Sequence, residues 1–295
     1  MSNAPLGPDD IRNAMTVDVE EYFQVSAFAN QVDPEAWTTL PSRVVESVER
    51  ILATFDEFGV RATFFVLGWI AEQHPSLVRR IANEGHEVAS HGYAHVRVTD
   101  QEPEQFRADV LRTKSILEDT TGIPVRGYRA ASFSINASNL WAHEVLAETG
   151  HEYSSSIYPG NHDHYGMPGA SRFAFCPNEN GVLEIPVTTV VSGGRRLPAG
   201  GGGYFRLLPY RYFSWAVSRV NGSDQRAAIF YFHPWEIDPE QPRMQNLPLK
   251  TRFRHYVNLS RFESRLRRLL GDFRWGPSCE VFELESARHA ELSNP

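Results

Sequence analysis

The sequence predicts an α/β fold, an irregular (β/α) barrel of seven strands. Seven short apolar runs recur along the chain, most are followed by a segment whose apolar residues have helical spacing, and Gly or Pro separates the two. Strands that alternate with helices form parallel sheets. The number and regular spacing of the strands favour a closed barrel over an open sheet. We expect one domain over 1–295, with the barrel at about 14–235 and a helical extension at about 236–295.

The N-terminal half of the chain alternates strand and helix. Alternating apolar residues predict the first strand, and the two-residue period places Asp18 and Glu20 on one face at its C-terminal end. The first helix is predicted from Val48, Leu52 and Phe55, which recur at helical spacing. Strands are expected at 14–19, 60–67, 87–90 and 125–130, and helices from Pro41 to Gly59, over 75–84, and from Pro103 to Gly122.

The C-terminal half continues the pattern with one irregular stretch. Helices are expected at 139–148 and 209–220, and strands at 152–155, 182–187 and 227–232. Residues 159–172 are rich in His, Gly and Pro, and their pattern predicts neither a helix nor a strand. The glycine run 200–203 lacks the Gly-Lys-Ser/Thr of a phosphate loop, so it indicates a flexible turn or a substrate-facing loop.

Polar residues cluster where the predicted strands end. In parallel barrels the chemistry gathers at the C-terminal ends of the strands. The strand ends and the residues just after them carry polar side chains at one predicted rim: Asp18, Glu20, His91, His95, Arg129, Ser154 and His233. The strand predictions depend on apolar runs and breakers alone, so this coincidence is independent evidence for an active site.

Composition and charge exclude several classes. The chain has 295 residues, 41% of them hydrophobic, and a net charge of −7. This charge argues against a nucleic-acid partner, which needs a basic surface for phosphates. The polar N-terminus over 1–13 lacks the basic start and apolar run of a signal peptide, and no stretch approaches the ~20 apolar residues of a membrane span. We therefore expect a cytoplasmic protein without a transmembrane segment. One basic segment, 243–268, has eight Lys or Arg against one acid; it is a solvated face or a peripheral contact with an anionic glycolipid or membrane.

The segment Ser90-His91-Gly92-Tyr93-Ala94-His95 offers two imidazoles four residues apart. Two such imidazoles can reach one metal ion, and a catalytic zinc site adds a carboxylate and leaves one position open. The HExxH metalloprotease pattern is absent here, because His91 follows His86 by five residues. Taken alone, such a pair is more often made of ordinary core or surface histidines than of metal ligands.

Four separated motifs give the chain a family resemblance. They are Thr16-Val17-Asp18-Val19-Glu20, the His91–His95 segment, Arg129-Ala130-Ala131-Ser132-Phe133, and Phe232-His233-Pro234-Trp235. Their order and spacing resemble the NodB-homology polysaccharide deacetylases, carbohydrate esterase family four, over about 14–235. The stretch from Gly193 to Pro239 is further similar to the branch associated with exopolysaccharide biosynthesis and exosortase systems.

The resemblance implies a role for each motif residue. It makes Asp18 the catalytic base, Arg129 the residue that orients it, and His233 the catalytic acid. Glu20, His91 and His95 become ligands of a divalent metal, most plausibly zinc, and the backbone N–H of Ser132 stabilises the oxyanion. Without the motifs, Glu20 with Glu21 would be a solvated strand end and Arg129 a rim ion pair. We place Trp235, directly beyond His233, near the substrate.

The sequence departs from the family pattern at three positions. Many relatives have adjacent aspartates in the first motif, whereas Val19 here separates Asp18 from Glu20. Ala131 replaces a usual Pro, which loosens the loop that aims Ser132. Ser154 stands where many relatives have an Asp that supports the catalytic acid, so we expect Ser154 behind His233. Replacing it with Asp should then raise the pH at which His233 loses its proton.

The resulting hypothesis is a single catalytic domain. We expect a metal-dependent hydrolase that removes N-acetyl groups from amino sugars of a polysaccharide or its lipid-linked precursor, in exopolysaccharide biosynthesis. One alternative is hydrolysis of another non-peptide C–N bond, such as a cyclic amide. The other is a catalytically inactive glycan-binding protein, which a lack of bound metal would indicate.

Overall fold

The seven predicted strands form one parallel sheet that curls into a half-barrel, and an eighth short strand joins it beside the first. This computed structural model describes residues 11–29, 31–162, 165–179 and 181–283. The strands are β1 (Arg12–Val19), β2 (Thr63–Val66), β3 (Glu87–Ser90), β4 (Gly127–Tyr128), β5 (Tyr153–Ser154), β6 (Leu183–Glu184), β7 (Thr189–Ser192), β8 (Arg195–Pro198), β9 (Ile229–Phe232) and β10 (Arg274–Gly276).

The helices pack outside the sheet, and they include each of the five that the sequence predicts before residue 236. They are α1 (Val44–Glu57), α2 (Gly68–Gln73), α3 (Pro75–Asn83), α4 (Pro103–Thr121), α5 (Trp141–Glu148), α6 (Gly202–Leu207), α7 (Tyr210–Gly222), α8 (Leu249–Tyr256), α9 (Phe262–Asp272) and α10 (Ser278–Val281). In α1, Val48, Leu52 and Phe55 are buried against the sheet as their spacing predicts. Gly59 and Gly122 follow α1 and α4 with positive φ, which glycine adopts without steric cost.

The barrel is open on one side, which corrects the prediction of a closed one. The sheet runs from β1 through β2, β3, β4 and β5 to β6, while β9 and β10 both pair with β1. Within the described ranges no ladder joins β6 to β9. The strand predicted at 182–187 ends at Glu184, and Pro186 soon after it has no N–H to donate to a ladder. The antiparallel hairpin of β7 and β8, which the sequence did not predict, follows this break.

The segment after residue 235 does more than extend the barrel with helices. It forms α8 and α9, and β10 then returns to pair with β1 through Arg12, Asn13 and Ala14. The barrel therefore does not end at about 235. None of the described helices combines the length and apolar content needed to cross a bilayer. The N-terminal stretch on which the absence of a signal peptide was predicted lies mostly outside the described residues, which begin at Ile11.

Candidate active site

A cavity of about 440 Å³ opens at the C-terminal ends of the strands, where the sequence predicted the polar rim. Seven predicted site residues line it: Asp18, Glu20, His91, His95, Ser132, His233 and Trp235. Arg129 contacts the cavity through Asp18. The structure thus brings together residues that lie up to 217 positions apart in the chain.

The end of β1 positions both predicted acids. Val19 points into the core, so Asp18 and Glu20 share the opposite face as the strand period predicts. Neither Glu20 nor Glu21 is a solvated strand end, because both are buried. Glu21 accepts hydrogen bonds from the backbone N–H groups of Arg43 and Val44 and thereby stabilises the start of α1.

Asp18 is held as an anion by a buried guanidinium. Arg129 Nη1 lies 2.6 Å from Asp18 Oδ1 and 2.8 Å from the Thr16 hydroxyl. Arg129 itself is fully buried, and its remaining N–H groups donate to Ser155. Burial opposes ionisation of Asp18, but the charge of Arg129 outweighs it and lowers the pKa of this carboxyl group. Asp18 is therefore a carboxylate at neutral pH, as a general base must be.

Glu20, His91 and His95 present ligand atoms that all lie within 4.8 Å of one another. Glu20 Oε2 lies 3.0 Å from His95 Nε2, yet it is buried and accepts no hydrogen bond. A buried carboxylate oxygen without a donor is costly unless a cation satisfies it. The orphaned oxygen beside an imidazole nitrogen fits a divalent ion.

The two histidines are in the state that metal binding requires. His91 Nδ1 lies 2.8 Å from the carbonyl oxygen of Arg129, which fixes the proton on Nδ1 and leaves Nε2 as a free lone pair. Burial lowers the pKa of His91, and it lowers that of His95 to about 4, so both rings are neutral. Neutral imidazoles and a carboxylate are the donor set of catalytic zinc sites.

Trp235 lines the cavity, but its ring is covered on both faces. Its ring is stacked between His233, at a centroid distance of 5.0 Å, and His255, at 4.2 Å. Neither face is free for a sugar. Instead Trp235 Nε1 donates to Glu20 Oε1 at 3.1 Å. The side chain therefore orients the carboxylate of Glu20.

We expect Trp235→Phe to weaken metal affinity by ~10-fold or more, the scale for losing a partner of a metal ligand. Phenylalanine keeps an aromatic ring between the two histidines and removes only the N–H. Competition with a chelating indicator measures the affinity. Trp215→Phe, on α7 outside the cavity, is the matched control and should leave the affinity unchanged. Equal affinity in both variants would contradict the role of Trp235.

His233 has a carboxylate partner that the sequence did not assign. His233 Nδ1 lies 3.1 Å from Glu236 Oε2, which also accepts the backbone N–H of His233. Glu236 in turn pairs with Arg206 Nε at 2.7 Å. Because Nδ1 donates to Glu236, Nε2 faces the cavity, 3.9 Å from Asp18 and 3.7 Å from Glu20. Burial alone would lower the pKa of His233, but the carboxylates of Glu20, Glu236 and Asp18 outweigh it and raise the pKa to about 9.

Gly202 leaves room for the carboxylate of Glu236 beside His233. A Cβ at Gly202 would lie 2.0 Å from Glu236 Oε2, so a larger residue would displace the carboxylate. The glycine run 200–203 is therefore neither a flexible turn nor a substrate loop. At these glycines the start of α6 packs closely against Glu236 and β9.

Ser154 does not lie behind His233, and this expectation is wrong. Its hydroxyl donates to Ser156 Oγ at 2.8 Å, and among the described residues no hydrogen bond joins it to His233. Ser156 Oγ in turn accepts the backbone N–H of Ala130 at 2.9 Å. Ser154 thus supports the segment that carries Arg129 and Ser132. The missing negative charge is supplied by Glu236, from the turn that follows His233 itself.

Glu236→Gln should lower turnover by ~10-fold and move the alkaline limb of the pH–rate profile to lower pH. A catalytic acid must be protonated, so activity is present below the pKa of His233 and is lost as pH rises through it. Removing the Glu236 charge removes part of what holds that pKa near 9. The control is Glu240→Gln, an exposed acid four residues after Glu236. An unmoved alkaline limb in Glu236→Gln would contradict the pairing.

The turn that carries Ser132 is strained, and a hydrogen-bonded Ser26 connects it to His95. Ser132 and Phe133 have φ of 54° and 51°, and His95 has φ of 55°. Left-handed backbone at residues other than Gly is uncommon and often marks functional sites. Ser26 Oγ lies 2.6 Å from Ser132 Oγ and 3.5 Å from His95 Nδ1. Although Ala131 is not a Pro, the hydrogen bond between the Ser26 and Ser132 hydroxyls and the one from the Ala130 N–H to Ser156 Oγ hold this turn.

Sequence reasoning missed Ser26, Arg206 and Glu236. Ser26 belongs to a short 3-10 helix with no motif around it, so no signal in one sequence marks it. Glu236 directly follows the fourth motif, and its position three residues after His233 is the spacing of a capping box. That spacing was the one available signal.

Two family models match the chain. Residues 33–153 match the polysaccharide deacetylase family, and residues 155–283 match a domain of unknown function. The second region contains His233, Glu236 and Arg206. The sheet is continuous across the two regions, since β5, in which the first match ends, pairs with β6 of the second.

Among curated proteins, the chain is similar to the peptidoglycan-N-acetylglucosamine deacetylase of Bacillus cereus. The two are 35% identical over 101 residues, which is 34% of this chain and 37% of that protein. The chain thus matches well under half of this relative's length.

Solved structures with the same fold cover nearly the whole chain. A candidate polysaccharide deacetylase from Mycobacterium smegmatis has a TM-score of 0.63 at 22% identity, covering 99% of this chain and 96% of that one. A PuuE allantoinase has a TM-score of 0.59 at 18% identity, covering 100% and 96%. At these identities the likeness establishes the fold.

Proposed function

We propose that this chain is a metal-dependent N-deacetylase. The premise is that residues 33–153 match the polysaccharide deacetylase family and that the chain has that family's fold. The substrate would be an N-acetylated amino sugar of a polysaccharide or its lipid-linked precursor. The amide hydrolysed is a C–N bond other than a peptide bond, and the products are acetate and a free amine.

One observation carries the proposal. A single cavity is lined by three kinds of group. They are the ionised carboxylate of Asp18, the trio of Glu20, His91 and His95 with neutral imidazoles, and the protonated His233. Two titratable groups whose environments push their pKa values in opposite directions mark a base and an acid. An amide needs both, because water must lose a proton to attack and the amine must gain one to leave.

Asp18 acts as the base in this proposal. It accepts the proton of the water that adds to the acetamide carbon, and Arg129 keeps it oriented and charged throughout. The backbone N–H of Ser132 donates to the oxygen that becomes negative. His233 Nε2–H then gives its proton to the nitrogen as the C–N bond breaks, while Glu236 stabilises the imidazolium before the transfer.

Glu20, His91 and His95 would hold the divalent ion, and Trp235 and the Arg129 carbonyl orient two of these ligands. A bound ion supplies Lewis-acid polarisation of the acetamide carbonyl. Two imidazoles and one carboxylate favour zinc over the oxygen-preferring Mg²⁺ or Ca²⁺.

A role in exopolysaccharide biosynthesis is part of the proposal. It is supported by the similarity of residues 193–239 to the exopolysaccharide-associated branch. Hydrolysis of a cyclic amide and binding of glycan without catalysis are the alternatives, and the fold accommodates both.

The test is a screen for acetate release from N-acetylglucosamine oligomers and lipid-linked N-acetylamino sugars, with allantoin as the cyclic-amide arm. Acetate release from a glycan that stops on chelation supports the proposal. Ring opening of allantoin without acetate release favours the cyclic-amide alternative, and glycan binding with no turnover and no metal favours the inactive one.

A further inference from the structure

Helix α8 carries its apolar side chains on the side that faces solvent. Leu249 is 83% exposed and Phe253 is 58% exposed, which makes them the two most exposed large apolar side chains of the described residues. They lie four residues apart and therefore share one face of the helix. A surface helix ordinarily turns such a face toward the core.

The site fixes this orientation. Thr251 and His255, also four residues apart, lie on the opposite face of α8. Thr251 lines the cavity, and His255 is buried, stacked on Trp235 and 2.7 Å from Gln241 Oε1. Rotating α8 to bury Leu249 and Phe253 would break these contacts. The apolar face is therefore presented outward.

Basic side chains surround the exposed apolar pair. Lys250, Arg252 and Arg254 are all exposed on α8. Within the basic segment 243–268, three arginines of α9 make contacts inside the fold. Arg265 donates to backbone carbonyls next to α6, Arg267 pairs with Glu57 and Glu263, and Arg268 pairs with Asp272.

We propose that α8 docks peripherally on a bilayer that contains anionic lipids. Leu249 and Phe253 enter the boundary between headgroups and acyl chains, and Lys250, Arg252 and Arg254 contact lipid phosphates. An apolar face flanked by Lys and Arg is the pattern of interfacial helices, and each basic residue near an anionic membrane adds to its affinity. A symmetric contact between two copies would instead oppose the basic side chains of both chains.

The position of α8 connects docking to the cavity. Thr251 lines the cavity, and the charge of Arg254 acts on Tyr165, another lining residue. Docking through Leu249 and Phe253 therefore holds the rim of the cavity close to the membrane surface. Membrane binding does not depend on the proposed chemistry, so each can fail without the other.

The experiment is co-sedimentation of the full chain with vesicles. We expect binding to vesicles of phosphatidylethanolamine and phosphatidylglycerol, weakened by salt, and no binding to vesicles of phosphatidylcholine alone. The double variant Leu249→Ser/Phe253→Ser should lower partitioning by ~10-fold or more. Arg252→Gln should lower it about fivefold.

Matched controls are Leu111→Ser on α4, where the leucine is 46% exposed, and Arg79→Gln on α3. Both should partition like the unaltered chain. The proposal is overturned if the chain does not bind anionic vesicles or if the controls lose binding equally. It is also overturned if sedimentation velocity shows a dimer that the double variant dissociates while vesicle binding is absent, since α8 would then be a contact between copies.

Discussion

His91→Ala is expected to lose bound metal and activity together. His91 Nε2 is left as a lone pair by the bond from Nδ1 to the Arg129 carbonyl, and the two other ligand atoms lie within 4.8 Å. Losing a direct ligand should exceed the ~10- to 100-fold cost of losing a partner of a ligand. We expect the same of His95→Ala. Metal analysis of the purified protein gives the occupancy, and acetate release gives the activity.

The control for this prediction is His74→Ala. His74 lies at the start of α3, outside the cavity, so this variant should keep full metal and full turnover. Full metal occupancy in both His91→Ala and His95→Ala would remove these residues from the ligand set.

Asp18→Asn is expected to abolish most turnover while the metal stays bound. An asparagine still accepts a hydrogen bond from Arg129 but takes no proton from water, and losing a positioned base costs ~10²- to 10⁴-fold. The charge of Arg129 loses its buried partner, so the free energy of unfolding should also fall. Thermal unfolding checks that the variant is folded before its rate is compared.

Glu20→Gln is the informative counterpart of Asp18→Asn. The two acids lie on one face of the same strand end, but Glu20 Oε2 is the oxygen without a hydrogen-bond donor. Glu20→Gln should therefore weaken metal binding, and its turnover should recover in part at high metal concentration. The reverse pattern, with metal lost in Asp18→Asn and kept in Glu20→Gln, would mean that base and ligand are exchanged.

Local sequence patterns were enough to predict the strands that carry the site. Buried apolar runs and the two-residue period place Asp18 and Glu20 together at the end of β1, and the structure agrees. The hairpin β7–β8 and strand β10 were missed, because short strands at a break or an edge have no distinctive periodicity. The barrel is open because β6 and β9 do not pair in the part of the chain that the structure describes. The local pattern of residues in one sequence does not show which distant strands pair.

The support of the acid shows where family analogy fails. The motif pattern predicts that Ser154 lies behind His233, but the charge beside His233 comes from Glu236. Arg206 of α6 pairs with Glu236, and Gly202 leaves room for its carboxylate. Three-dimensional packing of distant segments creates this arrangement. Trp235 lines the cavity, but its role depends on two histidines that cover its faces, one of them 20 residues further along the chain.

The central claim is that one cavity binds a divalent ion and uses it in amide hydrolysis. The most direct measurement is metal content and acetate release on the same purified sample, before chelation, after chelation and after zinc is restored. We predict one divalent ion per chain, acetate release from an N-acetylated glycan, loss of both on chelation and recovery of both with zinc. Acetate release that persists at full rate in the metal-free chain would contradict the account.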